Sequence, residues 1–442
     1  MKLQYICKKG TYSITPQNVH EALRQWILVD GFDLVLDIDR SQGSYLYDAK
    51  TQRRFLDFFS FVASLPIGYN HPSLDDPDFR HQLLRAALIK PSNSDVYTVE
   101  YAEFVTTFAR IAGRGMFQHY FFIDGGTLAV ENALKTAFDW KIKKNLQRGL
   151  EDKGHKIIHF KQAFHGRSGY ALSLTNTFDP RKTMYFPSFN WPRITNPKCA
   201  FPLNGENLKM TQQLEKQALQ EIKDALRRNL HDVAAIIIEP IQGEGGDNHF
   251  RPEFLQALRK ICDEEELLLI FDEVQTGMGI TGKMWTFEHF DLKPDIIAFG
   301  KKAQVCGIAA ANRIDDVDNV FKVPSRINST FGGNLADMVR CTRYLETIDE
   351  EGLVENANLV GAYLLEAIQK TIAPNWPQVT NVRGRGLIIA FDLPSSQEQE
   401  RFRKIAYDLG LLVPACGERS IRLRPPLTLT KVEADEGVAL LE

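Results

Sequence analysis

Three runs of the chain decide its fold: Val233-Ala-Ala-Ile-Ile-Ile-Glu239, Leu267-Leu-Leu-Ile-Phe-Asp272 and Ile296-Ile-Ala-Phe-Gly-Lys301. Each is a short apolar run without alternation, the pattern of a strand buried on both faces. Similar runs stand upstream at Tyr120–Ile123 and Lys156–Phe160, with helical stretches between them. This alternation, from about Tyr97 to Arg340, predicts an α/β fold whose sheet is mostly parallel and covered by helices on both sides. On the N-terminal side, Gly43-Ser-Tyr-Leu-Tyr-Asp48 and Arg54-Phe-Leu-Asp-Phe58 read as short antiparallel strands separated by polar turn residues. Beyond Arg340, helical segments and the runs Gly386–Leu393 and Ser420–Leu423 give an α+β texture. We therefore expect a large domain over residues 76–339, with a smaller one assembled from both ends, residues 1–75 and 340–442.

Each deciding run ends in a polar residue that the strand itself does not need: Glu239, Asp272 and Lys301, 33 and 29 positions apart. Ligands of open α/β sheets bind beyond the carboxyl ends of the strands, so the three groups are placed to converge on one crevice. Each alone also fits a solvated loop residue. A second signal is Asp124-Gly-Gly-Thr127, which follows a strand and opens the helix expected over Leu128–Lys141. Backbone N–H groups at such a helix start cradle phosphate, and a plain capped turn is the competing reading. No GxGxxG or GxxxxGK[ST] stands there, which argues against a dinucleotide or a P-loop nucleotide. A phosphate cradle, a carboxylate and a lysine at strand ends match the needs of pyridoxal 5'-phosphate: an anchor, a partner for its ring nitrogen, and an amine to bond its aldehyde.

Composition narrows the partners. The 442 residues carry 53 basic and 56 acidic side chains, net charge −3, with no broad field for nucleic acid or an anionic membrane. Cys7, Cys199, Cys262, Cys306, Cys341 and Cys416 are scattered without metal-ligand spacing and read as reduced, mostly packing thiols; no metal is expected. The segment MKLQYICKKGTY lacks the apolar core of a signal peptide, and the apolar runs are strand-sized, so a cytoplasmic location is expected. No internal repeat or low-complexity tract is present.

Six segments in order, HGRSGY from His165, EPIQGEGG from Glu239, FDEVQTG from Phe271, PDIIAFGKK from Pro294, STFGGN from Ser329 and IRLRPPL from Ile421, resemble the class III (ω-amino acid) aminotransferases of fold type I over nearly the whole chain. Four others, KPSNSDVYT from Lys90, FHGRSGYALSLTNT from Phe164, FGKKAQVCG from Phe299 and PSRINSTFGGNL from Pro324, resemble the lysine ε-aminotransferase branch. The resemblance implies transfer of the ε-amino group of L-lysine to 2-oxoglutarate, giving 2-aminoadipate 6-semialdehyde and L-glutamate. Ornithine, acetylornithine, 4-aminobutyrate or a diamine is the alternative donor, since pocket shape alone separates them.

Roles carried over by that resemblance fall on ten residues. Lys301 would bond the cofactor and move the proton, with Lys302 as its rival. Asp272 would hold the ring nitrogen, Gln275 would sit near the phenolic oxygen, and Phe164 would stack on the ring. Gly126 and Thr127 would hold the phosphate from one subunit and Thr330 from the other, which implies a homodimer with shared sites. Arg167 would bind the carboxylate far from the reacting amine. Arg422, with Arg424 as rival, would bind the α-carboxylate of the oxo acid, and Glu244 would neutralise that arginine when the carboxylate is absent. The chain departs from the wider family at Gly125, where Ser is frequent, and at Leu128, where many members carry Glu.

Overall fold

A computed structural model describes residues 14–442 of the chain; Cys7 and the whole MKLQYICKKGTY segment lie outside the described residues. The strands, in chain order, are β1 Tyr45–Tyr47, β2 Arg54–Asp57, β3 His119–Ile123, β4 Lys156–Phe160, β5 Arg193–Ile194, β6 Val233–Ile238, β7 Ile241–Gln242, β8 Asn248–His249, β9 Leu268–Asp272, β10 Ile296–Phe299, β11 Cys306–Ala310, β12 Thr380–Arg385, β13 Ile388–Asp392, β14 Leu411–Leu412, β15 Ala415–Cys416 and β16 Ser420–Leu423.

Seven of them form the central sheet in the order β3-β11-β10-β9-β6-β4-β5. From β10 to β5 every pairing is parallel, while β11 runs antiparallel to both β10 and β3. Two reversals restore direction, so β3 points the same way as β10, and β11 is the one reversed strand of the seven.

The unbroken apolar runs have the physical reason expected of them. Leu269 and Phe271 of β9 and Ile297 and Phe299 of β10 enter one core. Their neighbours Leu268, Ile270, Ile296 and Ala298 enter a second core on the opposite face. The helix Gly126–Gln147 packs Ala129, Ala133 and Ala137 into the second core, and the helix Pro252–Glu264 packs Phe254, Leu255 and Leu258 into the first. Period-two strands sandwiched between two sets of helices bury both faces. Truncating one such Leu or Ile to Ala would cost about 2–5 kcal/mol.

The predicted helix over Leu128–Lys141 is longer at both ends, Gly126–Gln147. Both chain ends meet in a three-stranded sheet, β1-β2-β14, in which Leu56 pairs with Leu411. A four-stranded antiparallel sheet, β12-β13-β16-β15, carries the IRLRPPL segment. Cys199, Cys262, Cys306, Cys341 and Cys416 are buried and unbridged. Among the described residues no helix is long and apolar enough to cross a membrane.

Candidate active site

Beyond the carboxyl ends of β4, β6, β9 and β10 lies a cavity of about 530 Å³. Glu239, Asp272 and Lys301 all line it, together with Gly126, Thr127, Phe164, Arg167, Glu244, Gln275 and Arg422. Nine of the ten residues given roles above are thus brought together. Thr330 does not line the cavity of its own chain; it is exposed, and its carbonyl accepts a hydrogen bond from Ser92 Oγ at 2.5 Å.

Lys301 follows Gly300 at the end of β10 and turns into the cavity with φ +52°. Burial, with the Arg422 guanidinium nearby, holds its ammonium below the usual range against the pull of Glu244 and Asp272. Lys302 points elsewhere. Its Nζ donates to the carbonyls of Gln275, at 2.7 Å, and Ala63, at 3.3 Å, and the side chain is almost fully buried. One neighbour faces the cavity and the other ties the backbone together.

Asp272 ends β9. One carboxylate oxygen accepts from the Val274 N–H at 3.1 Å, and the other is bonded to His165 Nδ1 at 2.8 Å. Burial works against the charged form of His165, but the hydrogen bond to Asp272 and the charges of Asp272 and Glu239 outweigh it, so the imidazole pKa is raised. Glu239 closes the cluster from the end of β6, accepting from the N–H groups of Phe164 and Gly243 at 2.9 and 3.0 Å. Burial pushes its carboxyl up to about 7, against the opposing charge of His165.

At the other end of the cavity, the helix Gly126–Gln147 presents its first N–H groups with no side chain capping them and no acid in its first turn. Gly125, at the cap, has φ +99°, which accounts for glycine where serine is frequent. A Cβ on Gly126 would come within 3.0 Å of Val274, so the helix start sits close to the strand end that carries Asp272. Thr127 Oγ1 pairs with Ser168 Oγ at 2.9 Å.

The third wall is ionic. Arg422 on β16 donates from Nη2 to Glu244 Oε2 at 2.9 Å, and the other Glu244 oxygen accepts from Lys182 Nζ. Burial alone would raise the Glu244 pKa; Arg422 and Lys182 hold it below the usual range. Arg424, the rival of Arg422, is fully buried, pairs with Asp247, and reaches Gln275 Oε1 at 3.1 Å without lining the cavity. Arg167 is exposed at the cavity and has no ion pair among the described residues.

Four of the residues now in view, His165, Lys182, Val62 and Cys306, were given no role from the sequence. His165 stands inside the quoted HGRSGY and could have been singled out as the one ionisable neighbour of its arginine. Nothing in the sequence ties Lys182 to Glu244, 62 positions on. Among the described residues no cluster of three or more His, Cys, Asp or Glu could hold a metal ion.

With this geometry in hand, comparison with known proteins gives one answer. The Aminotransferase class-III family matches residues 29–442. The L-lysine-epsilon aminotransferase of Mycobacterium tuberculosis is 51% identical, over 96% of this chain and 94% of its own. That of Streptomyces clavuligerus is 48% identical, over 96% and 93%. A solved structure of lysine aminotransferase from M. tuberculosis in the internal aldimine form superposes with TM-score 0.94 at 51% identity, covering 97% of this chain and 98% of that one.

Proposed function

This chain belongs to the class-III aminotransferases, and from that membership we infer that it transfers the ε-amino group of L-lysine to 2-oxoglutarate, yielding 2-aminoadipate 6-semialdehyde and L-glutamate. Its fold is that of the fold type I transferases, and its cofactor is pyridoxal 5'-phosphate. The observation that carries the reading is one cavity in which an arginine paired to a carboxylate, Arg422 with Glu244, lies beside a lysine of lowered pKa, Lys301.

The residues present fit the cofactor. Uncapped N–H groups at Gly126 and Thr127 suit its phosphate, and Asp272, fixed by His165, suits a protonated ring nitrogen. Phe164 suits one ring face, and Gln275 the phenolic side. When bound, the group supplies an electron sink for the carbon that loses a proton. The protein does the rest. Lys301 Nζ would hold the cofactor and, once freed as the amine, would take the proton from the substrate carbon that bears the amino group. Asp272 would hold the proton on the ring nitrogen, and His165 fixes Asp272 from its buried side.

Arg167 holds the carboxylate far from the reacting carbon in either substrate. Beside the reacting carbon the two substrates differ: lysine has a bare methylene chain and 2-oxoglutarate a carboxylate. Arg422 binds that carboxylate, and Glu244 covers Arg422 when it is absent, because an unpaired buried guanidinium is strongly unfavourable. We further take the enzyme to be a cytoplasmic homodimer whose large domain, residues 76–339, is flanked by a small domain from residues 1–75 and 340–442; the β2 to β14 pairing supports that joining of the ends.

A panel of amino donors with 2-oxoglutarate, each product aldehyde identified by mass, tests the reading. L-Lysine should be preferred and give glutamate with 2-aminoadipate 6-semialdehyde or its cyclic imine. A faster rate with ornithine, acetylornithine or 4-aminobutyrate would replace the donor, and absence of glutamate would overturn the reaction type.

A further inference from the structure

We propose that Lys182 is a positioning residue for the acceptor half of the reaction: it takes over Glu244 when the carboxylate of the oxo acid occupies Arg422. The inference rests on the exchange at Arg422 described above. Its basis is the way one carboxylate is divided. Glu244 gives Oε2 to Arg422 and Oε1 to Lys182, two cations from different parts of the chain. Arg422 stands on β16; Lys182 closes a short turn, Pro180–Lys182, after the helix Gly169–Leu174.

The side chains are graded outward from the core, with 4% of Arg422, 16% of Lys182 and 27% of Glu244 exposed. A carboxylate displaced from Arg422 in this half-buried setting still requires a counter-charge. Lys182 supplies one without any need for Glu244 to leave the cavity. The Lys182 ammonium also lies 5.8 Å from the centre of the Phe164 ring, which steadies it there by cation–π attraction.

Charge complementarity points the same way. Apart from Lys301, His165, Asp272 and Glu239, the charged side chains lining the cavity are Arg167, Lys182, Arg422 and Glu244, three cations to one carboxylate. A dicarboxylate matches them when Arg167 and Arg422 each take one of its ends and Lys182 keeps Glu244. Without Lys182, the Glu244 carboxylate keeps Arg422 as its one ion-pair partner among the described residues and competes with the incoming carboxylate.

The test uses unreactive probes on the holoenzyme: glutarate, with two carboxylates, and pentanoate, with one, titrated by calorimetry. Lys182→Gln should weaken glutarate about ten-fold, within the usual range of coupling between sites, and leave pentanoate unchanged; Lys182→Arg should restore glutarate. In a Glu244→Gln background the Lys182→Gln change should have no effect on glutarate. An equal loss in that background would mean that Lys182 touches the ligand directly and would overturn the proposal, as would no loss in either. The underlying exchange has its own control, since Glu244→Gln alone should tighten glutarate but not pentanoate. If it alters neither, the exchange at Arg422 fails, and the role of Lys182 fails with it.

Discussion

Lys301 and Lys302 are chain neighbours with opposite surroundings, and the contrast makes the first prediction. Lys301→Ala should remove the visible absorbance of covalently attached cofactor and lower turnover by about 10³-fold or more. Lys302→Ala should leave turnover per folded molecule nearly intact, while stranding the Gln275 and Ala63 carbonyls at a cost of about 1–3 kcal/mol. Spectra, rates and urea melts on the two variants decide it, and the reverse pattern would exchange their roles. Glu239 gives a pH-dependent prediction. Its folded pKa of about 7 lies above the roughly 4.3 of an unfolded glutamate. The stability it contributes is therefore fully present below the unfolded value and is lost as pH rises through about 7. Relative to wild type, Glu239→Gln should gain between about pH 5 and pH 8, by a few kcal/mol at about 1.4 kcal/mol per pKa unit. A difference independent of pH in urea melts would show that Glu239 does not titrate in this range. At this scale the sequence was legible where chemistry and strand end coincide, as at Asp272 and Lys301. It was silent where a loop side chain crosses the cavity, as Lys182 does.

The elements that read most clearly are those fixed by their own composition. Val233–Ile238 and Ile296–Phe299 have the bounds expected from the sequence, because each is apolar on both faces and bounded by polar residues. β11, Cys-Gly-Ile-Ala-Ala, carries small residues of weak strand preference and is held by neighbours on both sides, so no local signal marked it. The segment Ser60–Ala63 is a second case. All four residues have positive φ, from 37° to 61°, and Val62 faces the cavity. Such strain, about 1–2 kcal/mol per residue, is sustained only by tertiary packing. The helix start at Gly125 offers an element-scale prediction. Gly125→Ala places Ala at φ +99° with open space around its Cβ, so backbone strain is its whole steric effect. Gly149, at φ +71° and likewise with open space, is the control at the far end of the same helix. Both variants should lose about 1–3 kcal/mol of stability. Only Gly125→Ala should weaken reconstitution of apoenzyme with pyridoxal 5'-phosphate, because only that strain is relieved by moving the phosphate-facing N–H groups. Equal cofactor affinity in both would remove the helix start from the phosphate site.

For the whole molecule, the pairing of Leu56 with Leu411 joins positions that the sequence could place near each other only by default, since both lie outside the alternating core. The loop around Thr330 poses the question of assembly. Ser92 Oγ and Ser94 Oγ hold the carbonyls of Thr330 and Ser329, and Lys90 lies 4.1 Å from the centre of the Phe331 ring, so the two segments form one ordered surface. That surface leaves Thr330 exposed and away from the cavity of its own chain, which is the arrangement a residue serving a second subunit requires. Thr330→Asp should set a carboxylate against the cofactor phosphate in the partner's site and lower turnover strongly, while Lys301→Ala disables the site of the chain that carries it. Mixed and allowed to exchange, the two inactive variants should form hybrid dimers if the chain is the homodimer proposed above. In each hybrid, the site built on the intact Lys301 receives the intact Thr330 from the other chain, and the second site holds both defects. With random pairing half of the dimers are hybrids with one good site each, so activity should recover to about a quarter of wild type. Light scattering and differently tagged chains would establish that hybrids form. If they form and activity stays at the level of the separate variants, Thr330 acts within its own chain or not at all, and the shared site is refuted.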